Sequence, residues 1–371
     1  MRAALVLTTV NVPTLLYGYA ENFEKWGRAD EVSVIVIGDR KTPPEAGQVV
    51  AEIAARGLDA RYLDISAQER WLKRFPDLAA VIPYDSDNRR NIGHLMAAES
   101  GAEVIIAVDD DNYATGEDFL AGHAIVGNLH RLPTVSASSG WYNVCEMLRL
   151  DPPRPIYPRG FPYSRRWQQN TNTIGVAEGR VVVNAGLWLR EPDVDAVTRL
   201  NEPVMAVGLL RERLMLAPGT HAPINTQNTA FHCDALPCFY YVRMGARIGG
   251  LVLDRYGDIF CGLYAKKVID AVGDRVVFGI PTTDHRRNVH NLFRDLRQEL
   301  EGMVLVDMLA AILEDVQLHS TSYDEAYLEL SEAVERAVLA GRDLSESVKD
   351  YFQEVAHAQR VWVGACRILL R

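Results

Sequence analysis

Apolar positions along the chain fall into two periods. Residues 2–9, RAALVLTT, and 32–38, VSVIVIG, are short, nearly continuous apolar runs, the pattern of strands buried on both faces. Between them Leu15, Leu16, Tyr19, Phe23 and Trp26 recur at helical spacing. Residues 43–57 open on proline and close on Gly57, as helices do. A weaker strand, ARYLDI, follows at 60–65. A helix then spans NRRNIGHLMAAESG, closing on Gly101, and a fourth strand, EVIIAV, ends at Val108. Strands alternating with helices predict an α/β, Rossmann-like fold, a mostly parallel sheet with helices on both faces. The stretch 134–174 is rich in Pro, Ser, Arg and aromatics, has little periodicity, and reads as a long functional loop region. Strand patterns return in RVVVNAGLWL, GGLVLD and RVVFGI; from Asn288 onward the pattern is helical and amphipathic. The expected organisation is a catalytic domain over residues 1–287 and a helical C-terminal extension over 288–371.

In parallel sheets ligands bind at the carboxyl ends of the strands. Thr8 and Thr9 lie at the end of the first predicted strand, Asp39 after the second, and Asp109, Asp110 and Asp111 after the fourth. Like charges about 5 Å apart repel by roughly 3 kcal/mol at an effective dielectric of about 20. A divalent cation removes that cost; so does exposure to water. In an extended segment Asp109 and Asp111 share a face and Asp110 points elsewhere. Oxygen ligation by carboxylates suits Mg²⁺ or Mn²⁺, which keep positions open for phosphate oxygens. The competing reading is a solvated acidic turn. A phosphatase with its D-x-D nucleophile is disfavoured, because that motif typically follows the first strand of its fold. Dinucleotide, P-loop, zincin and hydrolase-elbow motifs are absent.

Composition narrows the partners. The chain has 371 residues and a formal net charge of −10, which disfavours nucleic acid and anionic membranes. An anionic substrate then needs a local cationic site or a metal. No apolar run is long enough to span a bilayer. Five cysteines without framework spacing read as reduced thiols, and so as a cytoplasmic protein.

Five segments carry a likeness: VDDDNY, YPRGFPYSRR, VVVNAGLWLREPDVDAVTRL, APGTHAPINTQNTAF and DRYGDIFCGLYAKKV, in this order. Together they resemble the plant reversibly glycosylated polypeptides, also known as UDP-arabinopyranose mutases. The resemblance implies a GT-A fold, a UDP-sugar substrate and a divalent metal, usually Mn²⁺. It places the family's glycosylated arginine on Arg159 and its acidic RYDD-type motif on RYGD, keeping Asp258 but putting Gly257 where the family has an acid. That departure weighs against a two-carboxylate arrangement.

Read on its own, Arg159 lies in a turn between Pro158 and Gly160. Its guanidinium is either a fork for diphosphate oxygens or a surface group, with Arg165 and Arg166 competing for the role. Asp258 is a general base or an N-cap. His285, after the last strand, is a third metal ligand or a hydrogen-bonded loop histidine. Thr9, Asp39, Asp87, Arg90, Asp109 and Asp110 are candidates for nucleotide contacts, with Asp87 equally an N-cap and Arg90 equally an exposed helix residue. Trp188 and Asn228 are candidates for the sugar pocket, with core packing the alternative for Trp188.

Three functions fit these residues. A metal-dependent glycosyltransferase acting from a UDP-sugar onto an unidentified acceptor is preferred slightly, because the likeness is partial and RYGD departs from the mutase pattern. A UDP-sugar pyranose/furanose mutase needs the same core without an acceptor. A non-catalytic assembly partner would use the apolar faces of the C-terminal helices to pair subunits as a homo-oligomer.

Overall fold

In a computed structural model the chain is described over residues 2–288 and 291–370. Strands β1 (Ala3–Thr9), β2 (Val32–Gly38), β3 (Asp59–Leu63) and β4 (Val104–Val108) form a parallel half-sheet in the order β3-β2-β1-β4. Its apolar runs are continuous because both faces are covered. Leu5 and Leu7 of β1 pack in one cluster with Leu15, Leu16 and Phe23 of helix α1 (Leu15–Lys25) and Val49, Val50 and Ile53 of α2 (Glu45–Ala55). Val6 faces the opposite way, sharing a cluster with Ile92 and Leu95 of α3 (Arg90–Glu99). Helix α3 lies so close to the sheet that a Cβ on Gly93 would meet Val6 Cγ1 at 2.5 Å.

The sheet continues as a mixed one. Strands β5 (Asn112–Ala114), β6 (Leu129–Ala137), β7 (Asn172–Arg190), β8 (Arg213–Leu216), β9 (Asn228–His232) and β10 (Arg275–His285) extend the order as β4-β9-β7-β6-β8-β10-β5. β9 is antiparallel to both β4 and β7, whereas β10 pairs parallel with β7 and antiparallel with β5. The expectation of a mostly parallel sheet therefore describes the first half only. In the second half antiparallel pairs alternate with parallel ones, β6 with β8 and β7 with β10. The stretch 134–174 contains the end of β6 and the start of β7, which pair antiparallel from Leu129–Arg180 to Ala137–Asn172. The segment between them is mostly irregular. GGLVLD is strand only at Leu251–Val252.

Helices α4 (Gly257–Val272), α5 (Leu292–Asp315), α6 (Tyr323–Ala340) and α7 (Glu346–Leu369) complete the chain. Leu309 of α5, Leu330 of α6 and Trp362 of α7 belong to the same core cluster as Val6 and Ile37 of the sheet. The inward faces of the C-terminal helices are thus spent on the chain's own core. Trp362 also donates its indole N–H to the Pro237 carbonyl at 3.1 Å. All five cysteines are free thiols. Among the described residues no helix is long and apolar enough to cross a membrane.

Candidate functional site

The carboxyl ends of β1, β2 and β4 open onto one cleft of about 1290 Å³. Thr9, Asp39, Asp87, Arg90, Asp109, Asp110, Asp111, Arg159, Asp258 and His285 all line it. They come from segments up to 276 residues apart (285 − 9), so the fold alone brings them together.

The triplet caps β4 with three side chains in three settings. Asp109 accepts from Arg90 Nη2, in a contact on which Arg90 is buried and Asp109 about one third exposed. Arg90 also donates to Thr8 Oγ1 at 3.0 Å and to the carbonyl and hydroxyl of Thr226 at 2.8 and 2.7 Å. It is therefore no exposed helix residue but a tie between the ends of β1, β4 and the segment before β9. The pair is lopsided. Asp109 holds Arg90 charged against its burial, while burial and the neighbouring Asp111 push the Asp109 carboxyl up to about 6 despite Arg90. Water on the exposed third of Asp109 tempers that push. Asp110 turns away and accepts from Thr9 Oγ1 at 2.6 Å and Asn11 Nδ2 at 3.0 Å.

Asp111 faces His285, with Oδ2 3.5 Å from Nε2. The imidazole Nδ1 lies 2.5 Å from the Glu191 carbonyl. A carbonyl only accepts, so Nδ1 carries a proton; with Nε2 unprotonated, the ring would offer that nitrogen's lone pair on the Asp111 side. This is the tautomer a metal ligand needs. Burial draws the His285 pKa down, but Asp111 more than offsets this and the net shift is upward. Among the described residues, no three Asp, Glu, His or Cys side chains converge at metal-binding spacing. Asp111 and His285 form a mixed oxygen–nitrogen pair that suits Mn²⁺, with Asp109 turned instead to Arg90.

Deeper in the cleft Arg159 lies between two carboxylates. Its Nε and Nη2 donate to Asp193 at 3.0 and 3.1 Å; Nη1 and Nη2 donate to Asp258 at 3.1 and 2.9 Å. Nη1 also donates to the Arg255 carbonyl. All three side chains are at most 7% exposed. The two carboxylates hold Arg159 charged well above the usual guanidinium range, and Arg159 pulls Asp193 below the usual carboxylate range against its burial. Asp258 sits in the first turn of α4 and accepts from the Ile259 N–H at 2.9 Å. Arg165 and Arg166 point elsewhere, to Glu314 and Asp195.

Asp193 was not nominated from the sequence, although it lies in the quoted EPDVDA segment. It provides a second carboxylate beside Arg159. Gly257 has no room for an acid: a Cβ there would lie 2.5 Å from both Tyr241 Cε1 and the Val242 carbonyl oxygen. Tyr241, also unforeseen, donates its hydroxyl to Asp87 at 2.6 Å. Burial pushes that carboxyl up to about 6. Asp87 does not cap its helical turn; Ser86 does, accepting from Asn88 N–H at 3.2 Å. Asp39 accepts from the Ser86 N–H at 3.0 Å.

Two nominated residues lie off the cleft. Asn228 is fully buried, with its amide donating to the Pro281 carbonyl at 2.8 Å and its oxygen 3.2 Å from His123 Nε2. Gln227 lines the cleft; its successor enters β9 and faces the other way, as period two requires. Trp188 is buried within β7 and is not among the lining residues.

Residues 57–369 match the family described as reversibly glycosylated polypeptide. UDP-arabinopyranose mutase 3 of Arabidopsis thaliana is 28% identical over 298 residues, which cover 77% of this chain and 73% of the relative. Probable UDP-arabinopyranose mutase 1 of Solanum tuberosum is 26% identical over 297 residues, with the same coverage of both chains. Among solved structures, S. aureus TarS in complex with UDP-GlcNAc aligns with a TM-score of 0.42 at 12% identity, over 100% of this chain and 90% of that one.

Proposed function

As the chain belongs to the reversibly glycosylated polypeptide family, we propose that it is a nucleotide-sugar mutase, interconverting the pyranose and furanose forms of a UDP-linked sugar. Arabinose is the first candidate, because the relatives carry that name. The observation that carries this is the pair of buried carboxylates, Asp193 and Asp258, on the two sides of Arg159. With Asp193 in place, the glycine in RYGD no longer weighs toward a transferase.

The nucleotide would lie across the ends of β1, β2 and β4, with Asp39, Asp87 and Thr9 near it. Asp111 and His285 would hold a divalent cation, Mn²⁺ or Mg²⁺. When bound, the cation neutralises diphosphate charge and makes UDP a better leaving group. An Arg159 nitrogen would bond to the anomeric carbon as the carbon–phosphate-oxygen bond breaks and UDP leaves with the electron pair. The guanidinium proton passes to Asp193 or Asp258. The ring oxygen takes that proton as its bond to the anomeric carbon breaks and the Arg159 nitrogen forms a double bond to that carbon; the 4-hydroxyl then adds there and gives its proton to the same carboxylate. Attack by a UDP phosphate oxygen releases the product and returns the proton to Arg159. No external acceptor enters this cycle.

The test is incubation with UDP-arabinopyranose and Mn²⁺ without acceptor, followed by chromatography. Appearance of the furanose nucleotide supports the mutase. Free sugar and UDP alone, or product only when an acceptor is added, would return the chain to the transferases.

A further inference from the structure

Helix α5 reaches the site from the C-terminal side through Glu299. This residue is 1% exposed and does not line the cleft. Its Oε1 accepts from Arg255 Nε at 2.9 Å, and its Oε2 accepts from the Ala196 N–H at 2.7 Å. Each partner leads to one of the two carboxylates beside Arg159. Ala196 opens the short helix three residues after Asp193. Arg255 lies three residues before Asp258 and holds a φ of +63°, a left-handed conformation that a non-glycine residue adopts only under constraint. The carbonyl of this same Arg255 accepts from Arg159 Nη1. One turn earlier on α5, Asp295 accepts from Arg287 Nη2 at 2.6 Å and stands 3.8 Å from Arg255 Nη1. Gly302 continues the close fit: a Cβ there would meet the Tyr256 ring at 2.5 Å.

One carboxylate thus spans the two segments that must stay in register for Arg159 to be flanked on both sides. We propose that Glu299 is a positioning residue of the reaction: through Arg255 and the Ala196 amide it sets the separation of Asp193 and Asp258 around Arg159. The inference rests on the reading of Arg159 as the reacting group. It makes the C-terminal helical region part of the catalytic apparatus although Glu299 touches no substrate.

A group that only stabilises the fold moves melting temperature, nucleotide affinity and turnover together. A positioning group moves turnover alone. The full chain is therefore compared with Glu299→Gln, which keeps an oxygen for the Ala196 amide and removes the charge from Arg255. The expected result is a fall in kcat of about a hundredfold, the scale of a small misplacement of reacting groups, with KM and the calorimetric Kd for UDP within about twofold of the parent. The double variant Glu299→Gln, Arg255→Gln should be no slower than the slower single variant, because the two act as one unit. Unchanged kcat in folded Glu299→Gln, or effects that multiply, overturns the proposal. If Glu299→Gln does not fold, Arg255→Lys breaks the same contact from the other side and is judged by the same split. Should the parent chain turn over no UDP-sugar, the functional reading fails independently. A crystal structure of Glu299→Gln still decides the positioning: Arg255 leaving positive φ and Arg159 releasing Asp258 support it, and an unmoved Arg159 sinks it.

Discussion

The cleft has two acidic regions built in opposite ways. At its rim Asp109, Asp110 and Asp111 cap β4 on side chains that still meet water, each tied to a different partner. On its floor Asp193 and Asp258 are buried, and both grip one guanidinium. At the rim Asp109 leans on Arg90 and Asp111 on His285, and Asp109 keeps about one third of its side chain open to water. The floor already holds a fixed cation, Arg159, hydrogen-bonded to both carboxylates. Charge alone does not mark a metal site; the difference lies in whether the charge is already compensated by the fold.

Breaking the floor should have the largest effect. Removing one carboxylate, as in Asp258→Ala, leaves Asp193 to pair the Arg159 charge but strips the guanidinium of its hydrogen bonds to Asp258, and hydrogen bonds to charged groups are worth about 1.5–3 kcal/mol. A urea midpoint shift of that order is expected, together with loss of isomerisation. Gly257→Asp, which restores the family's acid, comes next. Its side chain has to displace Tyr241 or the Val242 carbonyl, and overpacking of this kind costs about 1–3 kcal/mol. Lower stability with no gain in turnover is the expected outcome; a faster enzyme would mean Asp193 is not the second carboxylate.

At the rim, Asp111→Ala should leave the denaturation midpoint nearly unchanged while weakening Mn²⁺-dependent UDP binding by about tenfold or more, roughly 1.4 kcal/mol. Calorimetry with and without Mn²⁺ measures this directly. An equal loss without the cation would make Asp111 a nucleotide contact. A pH-dependent effect concerns Asp87, between the two regions. Burial pushes its carboxyl up to about 6, above an unfolded value of about 3.9. Protonation is thus favoured in the fold, so this contribution is complete below about pH 4 and is lost as pH rises through about 6. Relative to Asp87→Asn, the parent should lose melting temperature between pH 4 and pH 6 and run parallel above that. A constant difference across that range would mean the carboxyl titrates normally.

Much of the rim was readable because its signals are local. An apolar run ending in three acids marks a strand end, and a strand end in a parallel sheet marks a cleft. The floor was readable only in part. Arg159 and Asp258 stood in recognisable segments, but Asp193 pairs with Arg159 across 34 residues and Glu299 with Arg255 across 44. No periodicity encodes such pairings, since both acids sit where a helix cap or a solvated face would also place them. Asn228 shows the other limit. Whether it or Gln227 faces the cleft turns on the register of β9 against β4, where Asn228 pairs with Val108. A shift of one residue exchanges the two faces.

That same rule makes β5 a ruler. His285 is held opposite Asn112, and Asp284 opposite Tyr113, directly after the acidic triplet. Asp111 lies in the turn just before this strand, so deleting a residue from β5 would shift the register that sets the acidic turn beside the imidazole. The length of a three-residue strand thus helps to fix how the acidic turn meets the histidine at the mouth of the cleft.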